Sequence, residues 1–479
     1  MLGFFIVIIF LGYLISELYV RSDNLLDEKI FEMKDQIIKS VQESVRIKSV
    51  EDEPREGMPF GEGIHKAFLH CLQLSQSLGF KTVNIDNMIG YAEYGEGDEM
   101  VAVLGHLDVV PEGEGWTYPP YGAEIHEGKI YGRGTIDDKG PTIGALYALK
   151  AIADLKLPLK RRVRIIFGLN EETGSKCVKH YVDKGEEIPV WGFTPDAEYP
   201  IINGEKGIVT CKYKRTFNEE IPLISIKGGT APNVVPDYAE VVVSLSNEKK
   251  KLAKKVAETM EEIELREEGD NLIIMAHGVS AHGSTPEKGK NAISYLLLFM
   301  HKLNFSGEFG DFLNFVNSYM ELDLHGRKLG IYSEDEVSGK FIFNLGTVQG
   351  NNQEINIEIN MRYPVTKKYE DFIDIFKEKM NLGKMEEIYI RHKKSLYVHP
   401  ETEFIKKLQK VYQEKTGDKA DLISIGGGTY AKAMENLVAF GPVFRGQPKV
   451  EHMPDEYIKI DDLIKNVQIM AAAIYELAN

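Results

Sequence analysis

The amino-acid sequence predicts an α/β protein with a mixed, largely parallel sheet. Short apolar runs alternate with amphipathic helical segments, and several of these runs end directly in acidic residues or histidine. The chain has 479 residues, of which 43% are hydrophobic, so we expect two or three domains with a large core. A net charge of −16, without a basic cluster in the sequence, argues against nucleic acid as a partner.

The first 22 residues form a hydrophobic segment that is distinct from the rest of the chain. Residues 2–16 are almost wholly apolar, and they lack the positive region and the cleavage site of a secretory signal. A membrane anchor and a mis-assigned translation start are the two leading interpretations, and a cleaved signal is the weaker third. Three widely spaced cysteines fit a reducing compartment. We therefore expect a cytoplasmic protein, which meets a membrane only if residues 1–20 are a real anchor.

The next part of the chain alternates helices and strands. Apolar periodicity predicts two helices and three strands before residue 106, at residues 25–48, 64–78, 81–85, 90–94 and 100–105. The last strand runs into His106, and Asp108 follows two positions later. Because residues two apart in a strand point the same way, Asp108 can reach the His106 imidazole and leave the other ring nitrogen for a metal. The alternative is a buried histidine bonded to a local aspartate. Residues 111–135, rich in Gly, Pro and Tyr, are expected to form a surface loop.

Two pairs of adjacent acidic residues follow. Asp137 and Asp138 precede a predicted helix that has Pro141 in its first turn and continues over residues 142–155. Carboxylates are favourable just before a helix and could simply cap it. Glu171 and Glu172 follow the next predicted strand. Their side chains diverge because they are adjacent, so one could face a metal while the other faces a substrate.

Two candidates complete the set. Asp196 follows a strand predicted over residues 190–194, and His452 lies in a loop after a strand predicted over residues 437–440. The carboxyl ends of parallel strands share one edge of a sheet, so these side chains can meet. Two histidines and three carboxylates are the ligands that two zinc ions need. The sequence therefore predicts a dinuclear metal site, with independent structural roles for the five residues as the alternative.

The motifs that contain these residues resemble those of one metallopeptidase family. They read GHLDVVP, GRGTIDDKGP, NEETGS, TPDAE and EHMPDE, and they are similar to the motifs of the dinuclear zinc family of bacterial dipeptidases, aminoacylases and glutamate carboxypeptidases. The length of the middle segment is most similar to the PepV-type dipeptidases. The resemblance implies a zinc-peptidase catalytic domain in two parts, residues 23–204 and 397–479. Between them, residues 205–396 would form an inserted α+β lid domain of two ferredoxin-like halves.

The resemblance also implies how the metal ligands are shared. His106, Asp137 and Asp196 would bind one zinc ion, and Asp137 would bridge to a second ion that Glu172 and His452 complete. Two Zn²⁺ ions per chain are therefore expected, with Mn²⁺ or Co²⁺ as alternatives.

Two further roles and one backbone feature follow from the same resemblance. Glu171 would be the general base, and Asp108 would be the outer partner of His106. The peptide bond between Asp137 and Asp138 is expected to be cis.

The lid segment contains a weak internal repeat. A Gly-Thr turn that leads into an alternating strand begins at Gly229 and again at Gly346. Dimeric relatives carry an Asn and an Arg in a single copy of this element, whereas here Asn233 lies in the first copy and Arg362 in the second. Such a division would let one chain replace a partner subunit's lid, which predicts a monomer. Chance similarity between two glycine-started strands is the alternative.

The lid also supplies candidate substrate-binding residues. His282 lies among small residues between the copies, and the resemblance implies that it stabilises an oxyanion, with Asn233 as its neighbour. Arg362 has the planar fork that suits a substrate carboxylate. A glycine run before Tyr430 is expected to open a helix whose backbone N–H groups could also hold a carboxylate; its candidate residues are Gly427, Gly428 and Thr429.

The predicted function is a zinc-dependent dipeptidase. It would hydrolyse dipeptides or short peptides with a free C-terminal carboxylate, through attack of a metal-bridging water with Glu171 as the base. One alternative is an N-acyl amino acid or diaminopimelate-type deacylase, against which the duplicated lid favours the dipeptidase. The other is a catalytically idle, metal-loaded peptide-binding protein. Glu171 and His282 argue against that alternative, because neither is needed to bind a metal.

Overall fold

The computed structural model describes residues 24–479, so the hydrophobic segment predicted at residues 1–22 lies outside the described residues. Within residues 24–479, no helix is both long enough and apolar enough to cross a bilayer. The chain divides into a first unit (up to Asn203, Val398–Ile423 and Thr429–Asn479) and a second unit (Gly204–Tyr397 and Ser424–Gly428). The lid expected at residues 205–396 differs from the second unit by one residue at each end and by residues 424–428.

The helices and strands are numbered in chain order. Residues 24–32 are helical. The subsequent helices are α1 (Lys34–Val45), α2 (Glu62–Ser77), α3 (Lys139–Asp154), α4 (Lys176–Asp183), α5 (Asn247–Ala257), α6 (Ala292–Lys302), α7 (Gly307–Tyr319), α8 (Ile373–Leu382), α9 (Glu403–Thr416) and α10 (Ile460–Leu477). The strands are β1 (Lys81–Ile85), β2 (Ile89–Tyr94), β3 (Met100–His106), β4 (Glu124–His126), β5 (Lys129–Tyr131), β6 (Arg162–Gly168), β7 (Trp191–Thr194), β8 (Ala197–Glu198), β9 (Ile201–Glu205), β10 (Gly207–Thr216), β11 (Leu223–Gly228), β12 (Val234–Val235), β13 (Tyr238–Ser244), β14 (Ile263–Glu268), β15 (Asn271–His277), β16 (Ala281–His282), β17 (Glu334–Asp335), β18 (Gly339–Lys340), β19 (Ile342–Asn351), β20 (Glu354–Tyr363), β21 (Glu386–Lys393), β22 (Leu396–Tyr397), β23 (Leu422–Ile425), β24 (Leu437–Ala439), β25 (Pro442–Val443) and β26 (Tyr457–Lys459).

The first unit is built on a mixed sheet with a parallel centre. Seven of its strands lie in the order β1-β2-β6-β3-β7-β24-β9. Strand β3 runs parallel to β6 and β7, and β24 runs parallel to β7, whereas β1, β2 and β9 pair antiparallel with their neighbours. Every residue of β3 is buried, as expected for a parallel strand covered on both faces. The mixed α/β fold predicted from the sequence is therefore confirmed.

Helix α3 follows the acidic pair Asp137–Asp138 directly, with Pro141 in its first turn as predicted. Proline lacks an N–H, which costs nothing in the first turn because the N–H groups there have no partner within the helix. Nearly all of α3 is buried, and its long apolar side packs against α10. This burial fixes the start of the helix, and with it the acidic pair, in the core of the first unit.

The expectation that residues 111–135 form a surface loop is wrong for residues 124–131. Strands β4 and β5 form a hairpin, which β26 extends to three strands. The turn consists of Glu127 and Gly128, both with positive φ, as a tight two-residue hairpin turn requires. The sequence signal is weak because glutamate, unlike asparagine or aspartate, rarely occupies this conformation.

The second unit contains one antiparallel sheet of eight strands, in the order β14-β15-β13-β11-β19-β20-β10-β21. Read from the two edges inward, β14-β15-β13-β11 and β21-β10-β20-β19 meet at the central β11–β19 pair. In each half a helix connects the third strand from the edge to the edge strand: α5 connects β13 to β14, and α8 connects β20 to β21. The two Gly-Thr turns adjoin at this centre, since a side chain on Gly229 would collide with the carbonyl oxygen of Gly346.

Candidate metal centre

Three of the predicted site residues, His106, Glu171 and Asp196, end or follow central strands of the first unit. His106 is the last residue of β3, and it is paired in register with Gly168, the last residue of β6. Glu171 follows Gly168 by three residues and therefore lies near His106. Asp196 follows β7 on the other side of β3. Ligand atoms of His106, Glu171 and Asp196 lie within 4.8 Å of one another. The sheet edge thus brings together side chains that are far apart in the sequence.

Asp137 lies between two histidines. Its Oδ1 is 3.0 Å from Nε2 of His106, and its Oδ2 is 2.9 Å from Nε2 of His452. Oδ1 of Asp196 lies 3.7 Å from Nε2 of His106, and Oε1 of Glu172 lies 3.2 Å from Nε2 of His452. The structure therefore brings together all five residues predicted as ligands. The two oxygens of Asp137 face different partners, which is the arrangement of a bridging carboxylate.

Asp108 supports the site differently from the prediction. Its backbone carbonyl oxygen, not its carboxylate, accepts the hydrogen bond from Nδ1 of His106, at 2.9 Å. The nearest carboxylate oxygen is 3.5 Å from that nitrogen. The carboxylate instead accepts the backbone N–H groups of Glu171 and Glu172, both at 3.1 Å. Because a carbonyl can only accept, Nδ1 of His106 carries a proton, which leaves Nε2, 3.0 Å from Oδ1 of Asp137, as the ring nitrogen that a metal would take in place of its hydrogen bond.

Asp138 occupies the N-cap position of α3, but its side chain makes no capping hydrogen bond. Its carboxylate accepts the backbone N–H of His106 at 3.1 Å and the hydroxyl of Thr142 at 2.9 Å. Simple helix capping therefore does not explain the acidic pair. The peptide bond between Asp137 and Asp138 is cis, as the resemblance implied.

The charges at this site suit divalent cations. Two histidines face four carboxylates, and burial together with neighbouring carboxylates raises the pKa of Glu171 to about 8 and that of Asp196 to about 7. Hydrogen bonds with Asp137 and Glu172 raise the pKa of His452 to about 10. Zinc binds imidazole nitrogens and carboxylate oxygens in proteins. Its positive charge would also offset the repulsion among the clustered carboxylates. The residues therefore fit the pair of zinc ions that the resemblance implied.

His282 and Asn233 are neighbours in the second unit. Strand β12 pairs with β16 so that Val234 lies opposite His282, and the carbonyl of Asn233 accepts the N–H of Gly283 at 2.7 Å. Ser284 donates to Nδ1 of His282 from its backbone N–H, at 3.3 Å, and its hydroxyl lies 2.5 Å from the same atom. Because Nδ1 accepts, Nε2 carries the ring proton and is a hydrogen-bond donor. Partial desolvation and the charge of Arg362 lower the pKa of His282, which keeps the ring neutral.

Arg362 is 3% exposed. Its Nε donates to Oδ1 of Asn360 at 3.0 Å, and its Nη1 donates to the carbonyl of Gly426. Burial lowers the pKa of Arg362 to about 10. Both hydrogen-bond partners are neutral groups, and within residues 24–479 no carboxylate forms an ion pair with this guanidinium, so its positive charge suits a carboxylate.

The glycine run does not open a helix as predicted. Gly426, Gly427 and Gly428 are followed by a single 3₁₀ turn, Tyr430–Ala433, at whose start the hydroxyl of Thr429 accepts the N–H of Ala431 at 3.2 Å. One turn aligns too few peptide dipoles to form an anion site of its own. The contribution of this run is the Gly426 carbonyl that holds Arg362.

Tyr430 also supports the site, although the sequence did not indicate this role. Its buried ring packs edge-on against His106 with 5.9 Å between ring centroids, and its hydroxyl is 3.1 Å from Sγ of Cys177. A side chain on Gly168 would collide with this hydroxyl. The sequence carries no signal for this contact, because the three partners come from distant segments. Arg133 and Glu456 were also missed, although both belong to the motifs quoted above.

Comparisons with known proteins identify the family of the chain and support its fold. The family model described as Peptidase family M20/M25/M40 matches residues 102–476. A protein of Bacillus subtilis (strain 168) named "Putative dipeptidase YtjP" is 42% identical over 465 residues, which cover 94% of this chain and 99% of that protein. The crystal structure of human carnosine dipeptidase 1 aligns with a TM-score of 0.57 at 15% identity, covering 95% of this chain and 98% of that one. Aminopeptidase PepT from Bacillus cereus aligns with a TM-score of 0.57 at 16% identity, covering 93% and 99%. At these identities the two structures support the fold alone.

Proposed function

The chain belongs to peptidase family M20/M25/M40, and from this premise we propose that it is a dinuclear zinc dipeptidase. The proposed substrates are dipeptides or short peptides with a free C-terminal carboxylate. The observation that carries the proposal is the position of Asp137, whose two oxygens face His106 and His452 separately. The name of the Bacillus subtilis relative supports the same substrate class.

The proposed ligand sets share Asp137. His106 and Asp196 lie on its Oδ1 side, and Glu172 and His452 lie on its Oδ2 side. Zinc ions bound there would acidify a water molecule and polarise the scissile carbonyl, and Mn²⁺ or Co²⁺ could substitute for zinc.

Glu171 is the proposed general base. It accepts a proton from the attacking water and returns it to the leaving amine. Asp108 fixes the Glu171 backbone by accepting its N–H at 3.1 Å, so the carboxylate is held beside the ligand atoms of His106 and Asp196. Glu172 is fixed in the same way by the other oxygen of Asp108. One buried carboxylate thus orients both the base and a ligand.

The second unit supplies the proposed substrate contacts. Nε2–H of His282 donates a hydrogen bond to the oxyanion that forms when the carbonyl is attacked, and Asn233 assists it. The guanidinium of Arg362 binds the C-terminal carboxylate of the substrate. This last contact restricts the proposed activity to substrates whose free carboxylate lies close to the scissile bond.

The proposal is tested by comparing three matched substrates with the purified full-length protein. These are a dipeptide, the same dipeptide with an amidated C-terminus, and the N-acetyl derivative of its C-terminal residue. We expect the free dipeptide to be the best substrate, and we expect a chelator to abolish the activity and added Zn²⁺ to restore it. Faster hydrolysis of the N-acetyl amino acid would indicate a deacylase. Binding of the dipeptide without hydrolysis by zinc-loaded protein would indicate the idle binding protein.

A further inference from the structure

Arg133 and Glu456 form a buried ion pair in the first unit. Nη1 of Arg133 lies 2.7 Å from Oε2 of Glu456, and the two side chains are 2% and 0% exposed. Neither residue belongs to the proposed ligand set. A buried ion pair is weak evidence for stabilisation, because the cost of removing both charges from water can match their attraction. What distinguishes this pair from a merely structural one is the set of backbone contacts that each partner makes.

Glu456 holds the loop that carries Asp137. Its Oε1 accepts the backbone N–H groups of Gly134 at 2.9 Å, Ile136 at 3.1 Å and Asp137 at 3.4 Å. Glu456 also follows His452 by four residues in the chain. One carboxylate therefore connects the segments that carry two of the proposed ligands.

Arg133 contacts the His452 segment as well, and it reaches a third backbone segment, at Pro111 and Glu112. It donates from Nη1 to the carbonyl of Met453 at 3.3 Å, and from Nη2 to the carbonyls of Pro111 at 3.4 Å and Glu112 at 3.3 Å. Met453 is the residue after His452, and Pro111 lies in the segment that begins at His106. The planar fork of arginine can make these bonds together, which the point charge of a lysine cannot.

We propose that Arg133 and Glu456 are positioning residues that set the zinc affinity of the site. Together they fix the loops that carry Asp137 and His452 and the segment that follows His106. The inference rests on the proposed function, because it assumes that these residues bind zinc. Groups that hold metal ligands in place typically contribute about 10–100-fold in metal affinity. An ion pair with a merely structural role would change the stability of the chain but not the zinc affinity of the folded protein.

The test is a zinc titration of folded, metal-free, full-length protein in competition with a chromophoric chelator. Glu456→Gln keeps the size of the side chain and one acceptor oxygen but removes the charge that pairs with Arg133. We expect this variant to bind zinc about 10–100-fold more weakly than the wild type. The matched control is Glu93→Gln. It breaks another buried pair of the first unit, in which Glu93 Oε2 lies 2.6 Å from Nε of Arg164 with side chains 12% and 8% exposed. The control should bind zinc within about twofold of the wild type, because distant sites act independently.

Arg133→Lys is the second variant, and it decides the question if Glu456→Gln does not fold. It keeps the positive charge but loses the fork that reaches Met453 and Pro111, so we expect zinc binding weaker than in the wild type. Circular dichroism identifies which variants are folded. Wild-type zinc affinity in either folded variant would overturn the proposal. Failure of the wild type to bind zinc would overturn the proposed function, and this inference with it.

Discussion

Nε2 of His452 lies 2.9 Å from Oδ2 of Asp137, although the two residues belong to different sequence segments of the first unit. The same aspartate presents Oδ1 to His106. A carboxylate that faces a different imidazole with each oxygen is arranged to bridge two cations. The two histidines differ in burial, since the side chain of His106 is 0% exposed and that of His452 is 51% exposed.

Replacing Glu171 with glutamine should abolish most of the activity without loss of metal. The amide can neither accept the proton of the water nor return it, and general acid–base groups typically contribute about 10²–10⁴-fold in rate. Steady-state kinetics and zinc content, measured on the same preparation, check this expectation. Glu435→Gln, which changes an exposed carboxylate of the first unit, is the control and should retain normal kinetics. Near-normal turnover of fully metallated Glu171→Gln would assign the base to another residue.

The two zinc ions should leave the protein at different rates. The ion beside His452 has a half-exposed ligand, whereas the ion beside His106 has a fully buried one, so a chelator should remove the former first. We expect zinc release in two phases, recorded by the absorbance of a chromophoric chelator. His452→Ala should eliminate the faster phase and leave the slower one. A single phase that releases both ions would contradict the asymmetry.

The sequence predicted the parallel centre of the first unit and the convergence of His106, Asp137 and Asp196. A buried strand that ends in a polar residue, as at His106 and Asp196, is a local pattern, and so is an acidic residue before a helix, as at Asp137. The hairpin at Glu127–Gly128 and the 3₁₀ turn at Tyr430 were predicted wrongly. Their conformations depend on backbone dihedral angles that the residue types there only weakly favour.

Contacts between distant segments could not be predicted at all. The carboxylate of Asp108 holds the backbone of Glu171 and Glu172 rather than the His106 ring, and Glu456 holds the loop of Asp137. A polar residue in a motif has several partners within reach of its loop, and only the folded backbone decides among them. Residues that support a site therefore carry a weaker sequence signal than those that face it.

Replacing His282 with alanine should lower kcat while the zinc content stays unchanged. Loss of a single oxyanion donor typically costs about 10²–10³-fold in kcat. Ser284→Ala should also lower kcat, but by less. It removes the hydroxyl beside Nδ1 of His282 and leaves the backbone N–H that directs the ring proton to Nε2. Kinetics over a range of substrate concentrations separate kcat from KM. Unchanged kcat in zinc-loaded His282→Ala would remove His282 from the proposed chemistry.

Each chain should complete its own active site, as expected from the division of Asn233 and Arg362 between the two halves of the second unit. The test is to mix inactive Glu171→Gln protein with inactive His282→Ala protein. A dimer that shares these residues between subunits would regain activity, because some mixed sites would contain both native residues. We expect no recovery at any ratio, together with a monomer in sedimentation. Substantial recovery would refute the proposal of a self-contained chain.

The central claim is that Asp137 bridges two zinc ions, and anomalous diffraction at the zinc edge from crystals of the zinc-loaded protein tests it most directly. The account predicts two peaks about 3.5–4 Å apart on either side of the Asp137 carboxylate. One peak should lie beside His106 and Asp196, and the other beside His452 and Glu172. A single peak in fully loaded crystals, or a pair of peaks that Asp137 does not contact, would contradict it.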